Sequence, residues 1–110
     1  MSVKEEMQML AFQMIAGIGT AKSMYLEAVE LAKEGKYEQA KAHLEEGKAL
    51  YAEAAHSHLD LLAKEANGED LPFSLIFMHA EDQLLSTETI GLICEEHIAL
   101  YEKIDQLSKK

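Results

Sequence analysis

The stretch LAKEGKYEQA, Leu31 to Ala40, decides how this chain is read. Its Lys33-Glu34-Gly35 has the form of a helix ending: a cation faces the negative pole of the last turn, and a glycine follows where the backbone can turn left-handed. Helical spacing of apolar residues resumes almost at once, at Tyr37 and Ala40. Two helices joined by little more than Gly35-Lys36 have no room to diverge, so they lie side by side and antiparallel.

Upstream, apolar or small residues recur at Val3, Met7, Leu10, Met14, Ile18, Ala21, Tyr25, Ala28 and Ala32, in the steps of one helical face. Downstream, Tyr37, Ala40, Leu44, Gly47, Tyr51, Ala54, His58 and Leu61 do the same until EANGED, where Asn67-Gly68 is a turn signal. A third pattern begins near Pro72 and runs to about Leu107. Proline is tolerated in a first helical turn because its missing N–H has no partner there. STET, Ser86 to Thr89, resembles a cap, but Leu84, Leu85, Ile90, Ile93 and Cys94 keep helical spacing across it, so the third helix is read as continuous. Each helix would hold about 30 residues and run roughly 45 Å. With one proline and six glycines in 110 residues, little competes with helix. The expectation is a single all-α domain over residues 1–110, an antiparallel three-helix bundle with long helices and a thin core.

The third helix carries more apolar surface than two neighbours can cover. Leu75, Ile76, Phe77, Met78, Leu84, Leu85, Ile90, Leu92, Ile93, Cys94, Ile98, Leu100, Tyr101 and Ile104 surround much of its circumference. A helix apolar nearly all round is buried on several sides, which implies self-association through this helix about a symmetry axis. Twenty acidic and ten basic side chains give a formal charge of -10. That argues against a nucleic-acid binder, which needs a basic face for the phosphates, and favours basic partners. The single cysteine, Cys94, can form no internal disulfide and fits a reducing compartment. MSVKEEMQML lacks the basic-then-apolar order of a signal peptide, and no apolar run approaches a membrane span. A cytoplasmic protein is expected.

Within the apolar segment PFSLIFMHAEDQLLS, Pro72 to Ser86, stand His79 and Asp82. Their i, i+3 spacing puts them on one helical face, and the stripe continues through Ser86, Thr89 or Ile90, Ile93 and His97. Three readings fit the residues alone. His79 can be an interior histidine satisfied by a carbonyl or by Asp82. The two can bind a metal, although they supply two ligands where structural sites use about four, unless chain symmetry multiplies them. Or His79 can be a nucleophile, its neutral imidazole attacking a phosphoryl group in a reaction that asks mainly for positioning and charge stabilisation.

FSLIFMHAEDQLLSTETI resembles the phosphohistidine segment of the lactose/cellobiose-type enzyme IIA family of the bacterial phosphoenolpyruvate-dependent sugar phosphotransferase system. AFQMIAGIGTAKSMYLEAVELAKEGKYEQA, AHSHLDLLAKEANGE and EEHIALYEKI are similar to other parts of that family, so the resemblance spans nearly the whole chain. It implies a homotrimer, a nine-helix bundle, and a cycle in which a histidine accepts a phosphoryl group from the carrier HPr and passes it to a cysteine of the enzyme IIB component. The membrane IIC component then moves the sugar, which IIB phosphorylates. His79 matches the phosphoryl acceptor, as a tele-phosphohistidine. Asp82 matches an aspartate at the trimer axis that holds a divalent cation, magnesium in the first instance. Three carboxylates on one axis repel, so a metal or a shared proton must relieve them. Gln83 stands where some members carry histidine, and no assisting role is assigned to Gln83, His58 or His97. The alternative is a helical oligomerisation or metal-binding module without transfer chemistry.

The remaining candidates read as structural. His56 and His58, two apart, point to different helical faces and share no chelate. His43 is expected in solvent, and His97, about five turns from His79, at a surface or interface. GIGT, Gly17 to Thr20, lacks the third glycine and preceding strand of a phosphate loop and is read as close helix packing. Cys94, among Ile90, Ile93 and Ile98, is expected to be an inert core thiol. Met7, Met14 and Met24 are expected to fill the core.

Overall fold

The computed structural model describes residues 1–109. Three helices, α1 (Val3–Lys33), α2 (Tyr37–Ala66) and α3 (Leu75–Ser108), run up, down and up in a bundle 62 × 21 × 18 Å across. α1 lies along both other helices, which meet one another more sparsely. α1 and α3 are therefore parallel, with their N-terminal ends together.

The local signals explain where each helix stops. Gly35 takes φ +82°, and the backbone then closes two bonds onto the end of α1, Gly35 N–H to the Ala32 carbonyl at 3.0 Å and Lys36 N–H to the Leu31 carbonyl at 3.0 Å. Gly68, at φ +93°, closes α2 in the same way onto Glu65 and Lys64. These are the paired bonds that satisfy orphan carbonyls at a helix end. The start of α1 is set by a capping box: Ser2 Oγ accepts from Glu5 N–H at 3.1 Å, and the Glu5 carboxylate accepts from Ser2 N–H at 3.3 Å. α3 begins at Leu75 rather than near Pro72. Ser74 is extended, and its Oγ accepts from Phe77 N–H at 3.3 Å. A side-chain cap satisfies an orphan donor, which a proline in the connector cannot do. α3 then continues unbroken through STET.

The core is a seam of steps of three and four. On α1 it is Met7, Ala11, Met14, Ile18, Ala21, Tyr25, Ala28 and Ala32. On α3 it is Phe77, Ala80, Leu84, Thr87, Gly91, Cys94 and Ile98. A sustained seven-residue repeat is the pattern of near-parallel helices packing side by side. The many small residues let the backbones approach. Tyr25 shows how closely: a Cβ built on Gly47 of α2 would lie 2.8 Å from its ring, and one on Gly91 of α3 also 2.8 Å. The ring thus fills a slot made by two missing side chains on two different helices. α2 contributes only Ala40, Leu44 and Gly47 as fully buried residues, and its seam continues as half-buried Tyr51, Ala54, His58 and Leu61. Met7 and Met14 are buried and Met24 half-buried, as core filler should be. No helix among the described residues is long and apolar enough to cross a membrane.

Candidate functional site

The Ser74 cap fixes the first turns of α3, and His79 follows within them on an exposed face. Its ring edges an open cleft of about 680 Å³ between the N-terminal ends of α1 and α3, lined also by Lys4, Gln8, Phe73 and Ile76. Of the five histidines, His43, His56 and His58 each face a carboxylate, whereas His79 and His97 have no such partner among the described residues. His79 is therefore not an interior histidine satisfied by Asp82 or by a carbonyl. A neutral imidazole with a free lone pair on a rigid helix is a competent nucleophile.

Asp82 is exposed, and its carboxylate makes no ion pair or hydrogen bond among the described residues; the Ser86 hydroxyl donates to its backbone carbonyl at 2.9 Å. The described residues bring no three His, Cys, Asp or Glu side chains together. A lone carboxylate is a suitable hard oxygen donor for magnesium or calcium, but within one chain it is only one arm of a site. It fits a cation only where several copies converge.

On the other side of α3 the chemistry is closed. His58 of α2, its side chain 12% exposed, lies 2.7 Å from the Glu81 carboxylate and stacks on the Phe77 ring at 6.1 Å. The Tyr51 hydroxyl donates to the Leu84 carbonyl at 3.1 Å and reaches Glu88 at 3.4 Å. Burial first, and the Glu88 charge second, push its pKa up to about 12. His43 is not simply solvated: it is half-buried and 2.7 Å from Glu27 of α1. His56 is exposed, 3.8 Å from Asp60, and shares no site with His58. His97 is exposed. Cys94 is buried, and burial raises its thiol pKa, which keeps it protonated and unreactive. The packing expected of GIGT holds at Gly17, where a Cβ would sit 3.3 Å from that of Ala54, but Gly19 faces open space.

Sequence reasoning missed Lys4 and Gln8 beside His79. Their presence follows from the up-down-up order, which returns the start of α3 to the start of α1.

On its own the geometry offers an exposed, unpartnered imidazole on a rigid helical bundle, a nucleophile at the mouth of an open cleft. Comparisons with known proteins identify the family. The family described as "PTS system, Lactose/Cellobiose specific IIA subunit" matches residues 9–102. The lactose-specific EIIA component of Staphylococcus aureus (strain N315) is 37% identical over 100 residues, 91% of this chain and 97% of that protein. The crystal structure of the cellobiose-specific enzyme IIA from Bacillus anthracis superposes with a TM-score of 0.86 at 33% identity, covering 96% of this chain and 94% of that one. A chain in the solution structures of the IIA(chitobiose)–HPr complex of Escherichia coli matches with a TM-score of 0.74 at 26% identity, covering 90% and 96%. The chain belongs to the lactose/cellobiose-specific IIA family of the sugar phosphotransferase system. Its activity is that of a phosphoryl carrier in sugar uptake.

Proposed function

We propose that His79 is the residue that carries the phosphoryl group, taking it from HPr and giving it to a cysteine of the enzyme IIB component in the cytoplasm. The observation that carries this reading is the unpartnered, exposed imidazole at the edge of the cleft. The Nε2 lone pair of the neutral ring, its proton on Nδ1, attacks phosphorus. The N–P bond of the donor phosphohistidine breaks, and its electron pair returns to the donor nitrogen. Onward transfer forms a P–S bond on the acceptor thiolate and returns the electron pair to Nε2. HPr as donor is supported by the likeness to a chain of the IIA(chitobiose)–HPr complex.

The functional unit is a homotrimer assembled through α3. Leu75, Met78, Leu85, Leu92, Ile93, Leu100, Ile104 and Leu107 stand about half or more exposed on one chain, a larger apolar surface than a soluble monomer ordinarily leaves bare. Asp82 lies in that stripe, and three copies would meet on the axis. A divalent cation, magnesium in the first instance, would neutralise the three carboxylates there.

Incubation with phosphoenolpyruvate, enzyme I and HPr should add one acid-labile phosphate per chain, detected by mass, and His79→Ala should take up none. Labelling of His79→Ala at the parent's level would overturn the assignment. Sedimentation should give three times the chain mass at micromolar concentration, and a stable monomer would remove the trimer.

A further inference from the structure

We propose that Lys4, in the first turn of α1, is a second contact for the travelling phosphoryl group and holds its negative charge while it resides on His79. This deepens the His79 assignment and rests on it. Lys4 and His79 line the same cleft from two parallel helices, with Gln8 one turn along α1 from Lys4. No carboxylate lines that cleft, although the chain carries 20 acidic against 10 basic residues. Lys33, Lys36, Lys41, Lys48 and Lys109 are engaged with carboxylates, whereas Lys4, like Lys22, Lys64 and Lys103, makes no ion pair among the described residues, and of these four only Lys4 lines the cleft of His79.

The position of Lys4 is also locally unfavourable. The first turn of a helix favours anions and disfavours cations. Glu5 and Glu6 obey that rule, and Lys4, two residues beyond the Ser2 cap, breaks it. Local rules are broken chiefly at functional or strained sites. The capping box holds this turn in place, so the ammonium is presented from an ordered helix. Lys4 and Gln8 also precede the segment 9–102 that matches the family. Lys4 forms and breaks no covalent bond. Its three N–H donors face the phosphoryl oxygens, and the charge pair stabilises phosphorylated His79 over the free imidazole.

The test is the equilibrium and initial rate of phosphoryl exchange with phospho-HPr, for Lys4→Met, Lys4→Arg and Lys4→Glu. The side chain is exposed and unpaired, so the fold should hold in all three, with the thermal midpoint of Lys4→Met and Lys4→Glu equal to the parent's or slightly higher as the first-turn cation is removed. Lys4→Met should still be labelled on His79, but with an exchange constant lowered about three- to tenfold, the range for a solvent-exposed pair with a doubly charged partner. Lys4→Glu should fall further, Lys4→Arg should recover most of the loss, and the differences should shrink in high salt. An unchanged constant and rate in Lys4→Met, or an arginine variant as impaired as the methionine one, overturns the proposal. Label found on a residue other than His79 in the parent would instead overturn the reading beneath it.

Discussion

Leu84 and Leu85 are neighbours on α3, and one is 3% exposed while the other is 61% exposed. They stand for the helix's two long faces. The inner face runs Phe77, Ala80, Leu84, Thr87, Gly91, Cys94 and Ile98, with large and small residues mixed, and its small positions receive side chains from elsewhere, as Gly91 receives Tyr25. The outer face runs Met78, Asp82, Leu85, Ser86, Thr89, Leu92, Ile93 and Glu96, all exposed, its large apolar residues interrupted by polar ones. Both faces carry large apolar residues, but fit differs: the inner face is shaped to two partners within the chain, and the outer face is shaped to nothing within it.

The strongest way to break this comparison is a pair of truncations. Leu84→Ala leaves a cavity in a packed seam and should cost about 2–5 kcal/mol in urea unfolding. Leu85→Ala should change the unfolding of a dissociated chain by no more than about 0.5 kcal/mol. It should instead weaken self-association, seen as a concentration-dependent loss of assembled mass. Equal costs for the two, independent of concentration, would mean that the two faces do not differ as described.

Asp82→Leu sharpens the same contrast with a smaller effect. If Asp82 copies meet on an axis, leucine removes their mutual repulsion and extends the apolar stripe. Replacing buried charges with well-packed apolar groups is commonly neutral or favourable, so the assembly should hold or tighten, by about 1 kcal/mol or more, with loss of any bound magnesium in calorimetric titration. Dissociation to single chains by sedimentation would place Asp82 elsewhere than on the axis.

Much of this was open to reading in the residues. The steps of three and four gave the buried seam of α2 almost residue for residue, because a long helix between two turns has one face to hide. The glycine endings at Gly35 and Asn67-Gly68 were legible because left-handed backbone leaves few choices. The pattern places the start of α3 near Pro72, whereas the helix begins at Leu75, since proline and Ser74 both carry an N-terminal signal and only Ser74 accepts a bond. What sequence spacing does not contain is register between helices. The Tyr25 slot between Gly47 and Gly91, the pairing of His43 with Glu27, the His58–Glu81 pair and the cleft that Lys4 shares with His79 all depend on how far one helix slides along another. Periodicity leaves that distance free. His79 stands out in the residues as a histidine within an apolar segment, and the resemblance chooses among its three readings. Its i, i+3 spacing from Asp82 wrongly invites a paired reading, which the geometry removes.

The smallest effect concerns the bond that pins α2 to the inner face. The Tyr51 hydroxyl donates to the Leu84 carbonyl, and its pKa stands at about 12 against an ordinary value of 10.0. The folded state therefore keeps its proton more tightly than the unfolded chain does. The stability from this linkage is complete below about pH 10 and is lost as pH rises towards about 12. Tyr51→Phe should cost about 1 kcal/mol at neutral pH through the lost bond and should flatten part of the alkaline fall in the urea midpoint. The slope should not vanish, because the raised pKa values of Tyr25, Lys41 and Lys48 act in the same direction. An alkaline profile identical to the parent's would mean that the hydroxyl titrates as it does in the unfolded chain, and that the inner face is held by packing without this bond.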